Sequence, residues 1–449
     1  MLRRSITTLS PGTMIIASFL FVIGIGAILL SLPMAQVEPL GWLDTIFISA
    51  SSTCVTGLST VPITAFTLLG RCIILSLIQI GGLGLMTLSF FLISIFLNFG
   101  ITARVIASQV LDFEIWGKIR DFLILIVTIT LSCELLGAIL LFPTLKNLFP
   151  LDEALFYSLF YSISAFCNAG ISPTSPDIIS LAGHYGFLSV IGLLVFAGGI
   201  GFLVWYELFA LFKRKVLHMH NQHEVRHFSL HSHIVFFSSV ALITGGAILF
   251  WLLERTNTLA SYGGFGGAFN ALFNSVALRC SGFATIDYAA VHPATSFFVL
   301  FLMMIGASPA STGSGIKTTT AFIFLATIWA TMRNQTTVEV WGRTIPEDQT
   351  HKAIAVIFLS FAWITASTFL LLITDTGLGF LPTLIESISS FSTCGVSTGI
   401  THLFSSPGKI ILICNMIAGR IGSITLILAL RRAHEVRHYR FPEERILIG

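Results

Sequence analysis

Ser51-Ser52-Thr53-Cys54-Val55-Thr56-Gly57-Leu58-Ser59 is small, polar and hydroxyl-rich, and it lies between two segments fit only for a lipid bilayer. Irregular backbone at membrane depth is tolerated only where protein buries it or where it lines a water-filled path. The stretch also recurs, as Phe166-Cys167-Asn168-Ala169-Gly170-Ile171-Ser172, Arg279-Cys280-Ser281-Gly282-Phe283-Ala284-Thr285 and Ser392-Thr393-Cys394-Gly395-Val396-Ser397-Thr398. The central glycines, Gly57, Gly170, Gly282 and Gly395, are 113, 112 and 113 residues apart. A near-constant period with so little identity is the mark of a structural repeat. Four such loops predict four walls of one pore.

Composition agrees. Of 449 residues, 55% are hydrophobic and 10% charged, against roughly 25% charged in soluble domains. The expected fold is an all-α membrane protein: eight transmembrane helices in four helix–pore-loop–helix repeats around one central pore. Seven cysteines, mostly in apolar segments, do not read as a disulfide framework. Each repeat holds a spanning helix, a half-helix too short to cross, the glycine loop and a returning helix. The spans are expected near 14–32, 69–97, 122–141, 186–212, 234–253, 297–329, 353–373 and 410–430. The repeats occupy 1–100, 101–220, 221–335 and 336–432, and 433–449 is a cytoplasmic tail.

Lysine and arginine set the orientation. Seventeen of the 24 fall in the termini and inter-repeat segments, so both termini are expected in the cytoplasm and the loops open outward. Glu38, Asp44, Asp152, Glu153, Asp177, Glu254, Asp287, Asp375 and Glu386 give the outer side an acidic excess. That excess either concentrates cations at the mouth or is ordinary loop charge.

An alkali cation gives the loops a purpose. Inward carbonyls can replace its hydration shell, and glycine allows the backbone angles this requires. The half-helices would add their partly negative C-terminal ends. No carboxylate lies in the loops, and neutral oxygens suit a monovalent ion better than Ca²⁺. The filter residues are then Thr53, Cys54, Val55, Thr56 and Gly57; Cys167, Asn168, Ala169 and Gly170; Arg279, Cys280, Ser281 and Gly282; and Ser392, Thr393, Cys394 and Gly395. The four cysteines stand three, three, two and one residues before their glycines and so do not fall at one level, which favours packing over a shared soft-metal site.

The third returning helix is interrupted by Gly306-Ala307-Ser308-Pro309-Ala310-Ser311-Thr312-Gly313-Ser314-Gly315-Ile316-Lys317. Proline and three glycines break a helix there. The broken stretch, 306–316, lies below the filter as a gating loop, joined by Lys317. Arg420, at matching depth in the fourth repeat, places a positive charge in the conduit, with Glu134 as one candidate partner. Gly81-Gly82-Leu83-Gly84, Gly198-Gly199-Ile200-Gly201 and Gly419-Arg420-Ile421-Gly422 are small-residue stretches for close helix packing.

These loops, the run Ser311-Thr312-Gly313-Ser314-Gly315-Ile316-Lys317-Thr318-Thr319-Thr320 and Gly419-Arg420-Ile421-Gly422 together resemble the Trk/Ktr/HKT superfamily of potassium transporters, with the Ktr-type membrane subunit the nearest in length. The resemblance covers nearly the whole chain. It implies potassium uptake through a pore in each protomer, a homodimer, and a cytosolic ring of nucleotide-binding regulatory subunits of the RCK type. It implies the plasma membrane, in bacteria the inner membrane, and leaves sodium dependence open. K⁺ is the transported ion and Na⁺ a second candidate. No covalently bound cofactor, nucleic-acid partner or enzymatic activity is implied. Gating falls to the interrupted helix, with Arg420 as a further barrier. Glycine at position 57, where some sodium-preferring relatives carry serine, favours potassium. Ala310 and Ser314 stand where the family often has glycine, which stiffens the gate.

Other readings remain. A less selective Na⁺/K⁺ transporter would share this fold. His223-Glu224-Val225-Arg226-His227 and His434-Glu435-Val436-Arg437-His438 satisfy the H-E-x-x-H pattern of zinc metalloproteases. They lack an apparent third ligand and are more simply another repeat echo. The His218–His233 region, six histidines in 16 residues, is a metal, pH-sensing or docking candidate. Gly315-Ile316-Lys317-Thr318 lacks the order of a phosphate loop. A carrier of organic solutes would use broken helices too, but no anchor for a larger substrate stands out.

Overall fold

The computed structural model describes residues 11–97, 119–174, 178–216 and 227–422. Fourteen α-helices, five short 3-10 helices and one hairpin make up the regular structure of the described residues. The first group is α1 (Pro11–Leu30), α2 (Trp42–Cys54) and α3 (Leu68–Leu97). The second is α4 (Ile119–Lys146), α5 (Leu151–Phe166), α6 (Tyr185–Gly199) and α7 (Phe202–Val216). The third is α8 (Leu230–Glu254), α9 (Gly263–Ala277), α10 (Pro293–Met304) and α11 (Thr318–Met332). A hairpin of β1 (Val338–Val340) and β2 (Arg343–Ile345) leads to α12 (Glu347–Thr374), α13 (Phe380–Ser392) and α14 (Ser406–Ile421). The hairpin turns on Trp341 and Gly342, both at positive φ, as a two-residue loop between right-twisted strands requires.

Long and short helices alternate for a reason of length. The 13 residues of α2 rise about 20 Å, well short of the roughly 30 Å hydrocarbon core. Phe122–Lys146, Leu230–Glu254 and Glu347–Thr374 are long and apolar enough to cross a membrane, and α6 with α7 makes a bent pair that passes the same test. Ile16–Leu30, Leu68–Leu83, Pro293–Met304 and Thr318–Met332 are shorter apolar helices.

The pattern of burial is inverted relative to a soluble protein. Leu131, Leu135 and Ile139 of α4 face outward and exposed, while Ser49, Ser51, Ser52 and Thr53 of α2 are buried. A hydrocarbon surround makes that arrangement stable, because the apolar faces need no cover and the polar ones do.

The short helices hang on the long ones by a contact that repeats. Ser49 Oγ donates to Ile23 O at 2.7 Å, Ser162 Oγ to Glu134 O at 2.6 Å, and Ser275 Oγ to Ile243 O at 2.8 Å. Facing glycines make room: a Cβ on Gly26, Gly137 or Gly246 would strike those serines and Leu77, Leu194 or Leu302. In the fourth group Ser387 bonds Ser367 Oγ at 2.9 Å instead.

The groups close into a ring. Helix α3 packs on α5, α6 on α9, α10 on α13, and α14 on α2. The last of these joins the first group to the fourth through Phe47, Ala50, Cys54 and Leu58 against Leu412, Ile413 and Met416.

Two expected spans are corrected. Of 410–430, α14 ends at Ile421, where Gly422 turns to φ 87°, and residues 423–430 lie outside the described residues. The stretch 186–212 is not one helix: α6 and α7 meet at 96°. The break falls at Ile200 and Gly201, with Gly201 at φ +97°. The third group fills it. Ser308 N–H donates to Gly199 O at 3.1 Å, Thr312 N–H to Gly198 O at 3.2 Å, and Phe202 N–H to Ala310 O at 2.7 Å. These distant partners satisfy the backbone groups that the break releases.

Candidate functional site

Helices α2, α5, α9 and α13 end on the four glycine loops. Helix α2 stops because Val55 turns left-handed (φ 58°, ψ 50°), and α13 stops in the same way at Thr393 (φ 48°, ψ 44°). Asn168 repeats that turn at φ 61°, while Cys280 does not. Two residues on from each of these positions, all four glycines have positive φ: 91° at Gly57, 63° at Gly170, 66° at Gly282 and 86° at Gly395.

The glycines meet in cyclic order. A Cβ on Gly57 would strike Ala169 O, one on Gly170 would strike Ser281 O, one on Gly282 would come within 2.7 Å of Cys394 O, and one on Gly395 would strike Thr56 O. Each glycine therefore abuts the carbonyl of the residue that precedes the next glycine. Gly57 and Gly282 also face Gly395 Cα, at 3.4 and 3.0 Å from the added Cβ. Four loops more than a hundred residues apart thus share one small volume.

The residues expected at the filter do not all share one environment. Thr53, Cys54, Val55, Thr56, Cys167, Ala169, Ser281, Ser392 and Cys394 are buried. The hydroxyls of Ser51, Ser52, Thr53, Thr56, Ser389 and Thr393 have no partner within the protein. Arg279 belongs to the loop only by its backbone. Its guanidinium turns to α8, where Nη2 donates to Ser239 Oγ at 3.3 Å. The cysteines go separate ways: Cys394 Sγ to Leu278 O at 2.9 Å, Cys280 Sγ to Ser314 O at 3.6 Å, and Cys167 Sγ to Glu134 Oε1 at 3.7 Å. No His/Cys/Asp/Glu group able to hold a metal occurs among the described residues.

The interrupted segment lies directly against these loops. Ile305 and Ile316 bridge across its neck. Gly306 packs on Ser314 and Gly315, and Gly313 on Ala307 and Cys280. Ser311 Oγ donates to Ser308 O at 2.6 Å, and Lys317 Nζ to Gly313 O at 2.7 Å. Asn168 Nδ2 reaches Thr312 Oγ1 at 2.7 Å. Arg420 staples the whole: Nη1 donates to Thr312 O at 2.5 Å and Ser314 Oγ at 3.1 Å, and Nη2 to Gly81 O at 2.5 Å.

The expected pairing of Arg420 with Glu134 is therefore corrected. Glu134 Oε2 accepts from Gln79 Nε2 at 3.1 Å instead. One backbone carbonyl from the bent segment, Thr312 O, and one from α3, Gly81 O, serve the guanidinium instead. The outer acidic excess also shrinks. Glu254 is buried and accepts from His292 N–H at 2.8 Å and Thr295 Oγ1 at 2.5 Å. Glu386 is buried against Ser397 and Thr401. Both brace the descending loops rather than face solvent. His223, Glu224 and the whole 434–438 motif lie outside the described residues.

Sequence reasoning missed the brace serines Ser49, Ser162 and Ser275. They sit eight, eight and seven residues before their glycines, and that spacing was a signal available from the sequence.

Comparisons with known proteins identify the family and the fold. The profile of the TrkH family, described as "Cation transport protein", matches residues 5–439. The chain is 33% identical to Ktr system potassium uptake protein B of Bacillus subtilis, over 98% of this chain and 97% of that one. It is 35% identical to the protein of the same name from Vibrio alginolyticus, over 97% and 94%. It is 29% identical to the potassium/sodium uptake protein NtpJ of Enterococcus hirae, over 100% and 99%. The solved structure of the potassium transporter TrkH from Vibrio parahaemolyticus overlays with a TM-score of 0.68 at 17% identity, over 93% of this chain and 85% of that one. With its ring of glycine loops and a family match spanning almost every residue, the chain belongs to the TrkH family of cation transport proteins.

Proposed function

We propose that this chain takes up potassium across the plasma membrane, in bacteria the inner membrane, through a channel-like pore. The observation that carries the reading is the cyclic seating of Gly57, Gly170, Gly282 and Gly395 against the carbonyls of Ala169, Ser281, Cys394 and Thr56. Closely spaced neutral carbonyls can replace the shell of a dehydrated K⁺. The unpartnered hydroxyls of Thr53, Thr56 and Thr393 would find partners in ions or waters on that path.

In this reading eight crossings in four repeats, bounded as 1–100, 101–220, 221–335 and 336–432, surround the axis. Both termini are cytoplasmic. The segment 306–316 is the gate, and Arg420 holds it closed from α14. The names of the two Ktr relatives place them in a potassium uptake system, which supports a partner subunit here; in this reading the chain forms a homodimer and that partner is a cytosolic nucleotide-binding ring. The Enterococcus relative carries sodium in its name, which supports the second reading, a less selective Na⁺/K⁺ transporter of the same fold.

Flux into proteoliposomes holding the purified chain, under potassium, rubidium, sodium or lithium gradients, tests both. Potassium and rubidium well above sodium is the expected result. Equal sodium flux selects the second reading. No flux of any of the four ions, even with the cytosolic partner added, would sink both.

A further inference from the structure

Behind the second and third loops lies a cavity of about 20 Å³, lined among others by Asn168, Ser239, Arg279, Cys280 and Ala307. One water needs about 10–15 Å³ of such space. Two polar atoms on lining residues have no partner: Arg279 Nε and Asn168 Oδ1. Arg279 is 7% exposed and Asn168 1%. Leaving either group dry and unpaired is costly, the guanidinium above all. No carboxylate forms an ion pair with Arg279 among the described residues.

The orientation of the Asn168 amide follows from its other end. Thr312 Oγ1 donates to Phe166 O at 3.1 Å, so its one proton is committed. It can therefore only accept from Asn168, which puts Nδ2 at Thr312, 2.7 Å away. That leaves Oδ1 as the atom in need of a donor. The site thus offers a donor from Arg279 and an acceptor from Asn168. A halide would satisfy the guanidinium but repel the amide oxygen. An alkali cation would suit the oxygen but face the guanidinium charge. Water alone can accept from one and donate to the other.

We infer that this cavity binds a single structural water that joins Arg279 of the third loop to Asn168 of the second. Through Thr312 the same chain of hydrogen bonds reaches the interrupted segment and Arg420. Arg279 is then a positioning residue, holding the junction between two loops without touching the ion. This consequence for transport rests on the filter reading above; the water itself does not.

Crystals of the full chain grown with bromide in place of chloride, at a resolution that shows ordered waters, test the site. One peak within roughly 2.7–3.2 Å of both atoms, without anomalous bromide signal, is expected. An empty cavity or a bromide signal overturns the inference. The second arm measures the ratio of potassium to sodium flux in Arg279→Met. One net buried hydrogen bond corresponds to about fivefold, and a fall of that order is expected. An unchanged ratio removes the positioning role. A wild-type protein that carries neither ion refutes the filter reading instead, and the crystals still decide the water.

Discussion

Gly170 excludes a side chain on two independent grounds. Its φ of 63° costs an L-residue roughly 1–2 kcal/mol, and a Cβ would fall on Ser281 O. The neighbour is backbone from another loop, so relief means moving the adjacent wall of the ring. Gly170→Ala should therefore lower the potassium-to-sodium flux ratio by about tenfold or more, read as rubidium uptake with sodium in competition. An unaltered ratio would count against a shared ring. Arg420 makes a different case. Its three hydrogen bonds tie the interrupted segment to α14 and α3, and bonds from a charged donor are worth about 1.5–3 kcal/mol each. In Arg420→Gln the segment loses most of that hold, so basal rubidium flux should rise by roughly tenfold. Flux at the wild-type level in a correctly inserted variant would contradict the staple.

At the scale of elements the decisive partnership is between the α6–α7 break and the segment that follows α10. Ser308 and Thr312 supply N–H groups to Gly199 O and Gly198 O, and Ala310 O takes the Phe202 N–H. Deleting 307–314 removes all three partners together with both contacts to Arg420. Basal flux should rise further than in Arg420→Gln, and a protein reaching the membrane with unchanged flux would show that the segment obstructs nothing. The same partnership explains what the sequence could and could not tell. The short helices and glycine loops were legible because length and small-residue composition are local properties. The break at Gly201 was not, because what stabilises it lies more than a hundred residues away. Without Ser308 and Thr312, the apolar run 186–212 reads as continuous helix. The Arg420–Glu134 pairing failed for a related reason: charge sign is visible in sequence, but a bent segment with free carbonyls is not. Proline and glycine between 306 and 315 did announce the interruption itself.

At the scale of the molecule, a ring made from one chain has a single seam where the first group meets the last. Three of the four junctions join groups consecutive in sequence; the fourth has only packing and charge. Helices α2 and α14 hold it through Phe47, Leu412 and Met416, and Lys409 Nζ meets Asp44 Oδ1 at 2.7 Å. Both side chains are mostly covered, at 15% and 22% exposed, so the pair should exceed the few tenths of a kcal/mol of a fully exposed bridge and reach about 1 kcal/mol. Asp44 also sits in the first turn of α2, where its charge opposes the positive end of the helix dipole. Asp44→Asn should thus destabilise slightly more than Lys409→Met, which only removes the partner. Thermal unfolding of the purified protein provides the double-mutant cycle. The double variant should be about 1 kcal/mol more stable than the sum of the single losses. Strict additivity would mean that the bridge does not hold the seam, leaving the apolar contact between α2 and α14 to close the ring alone.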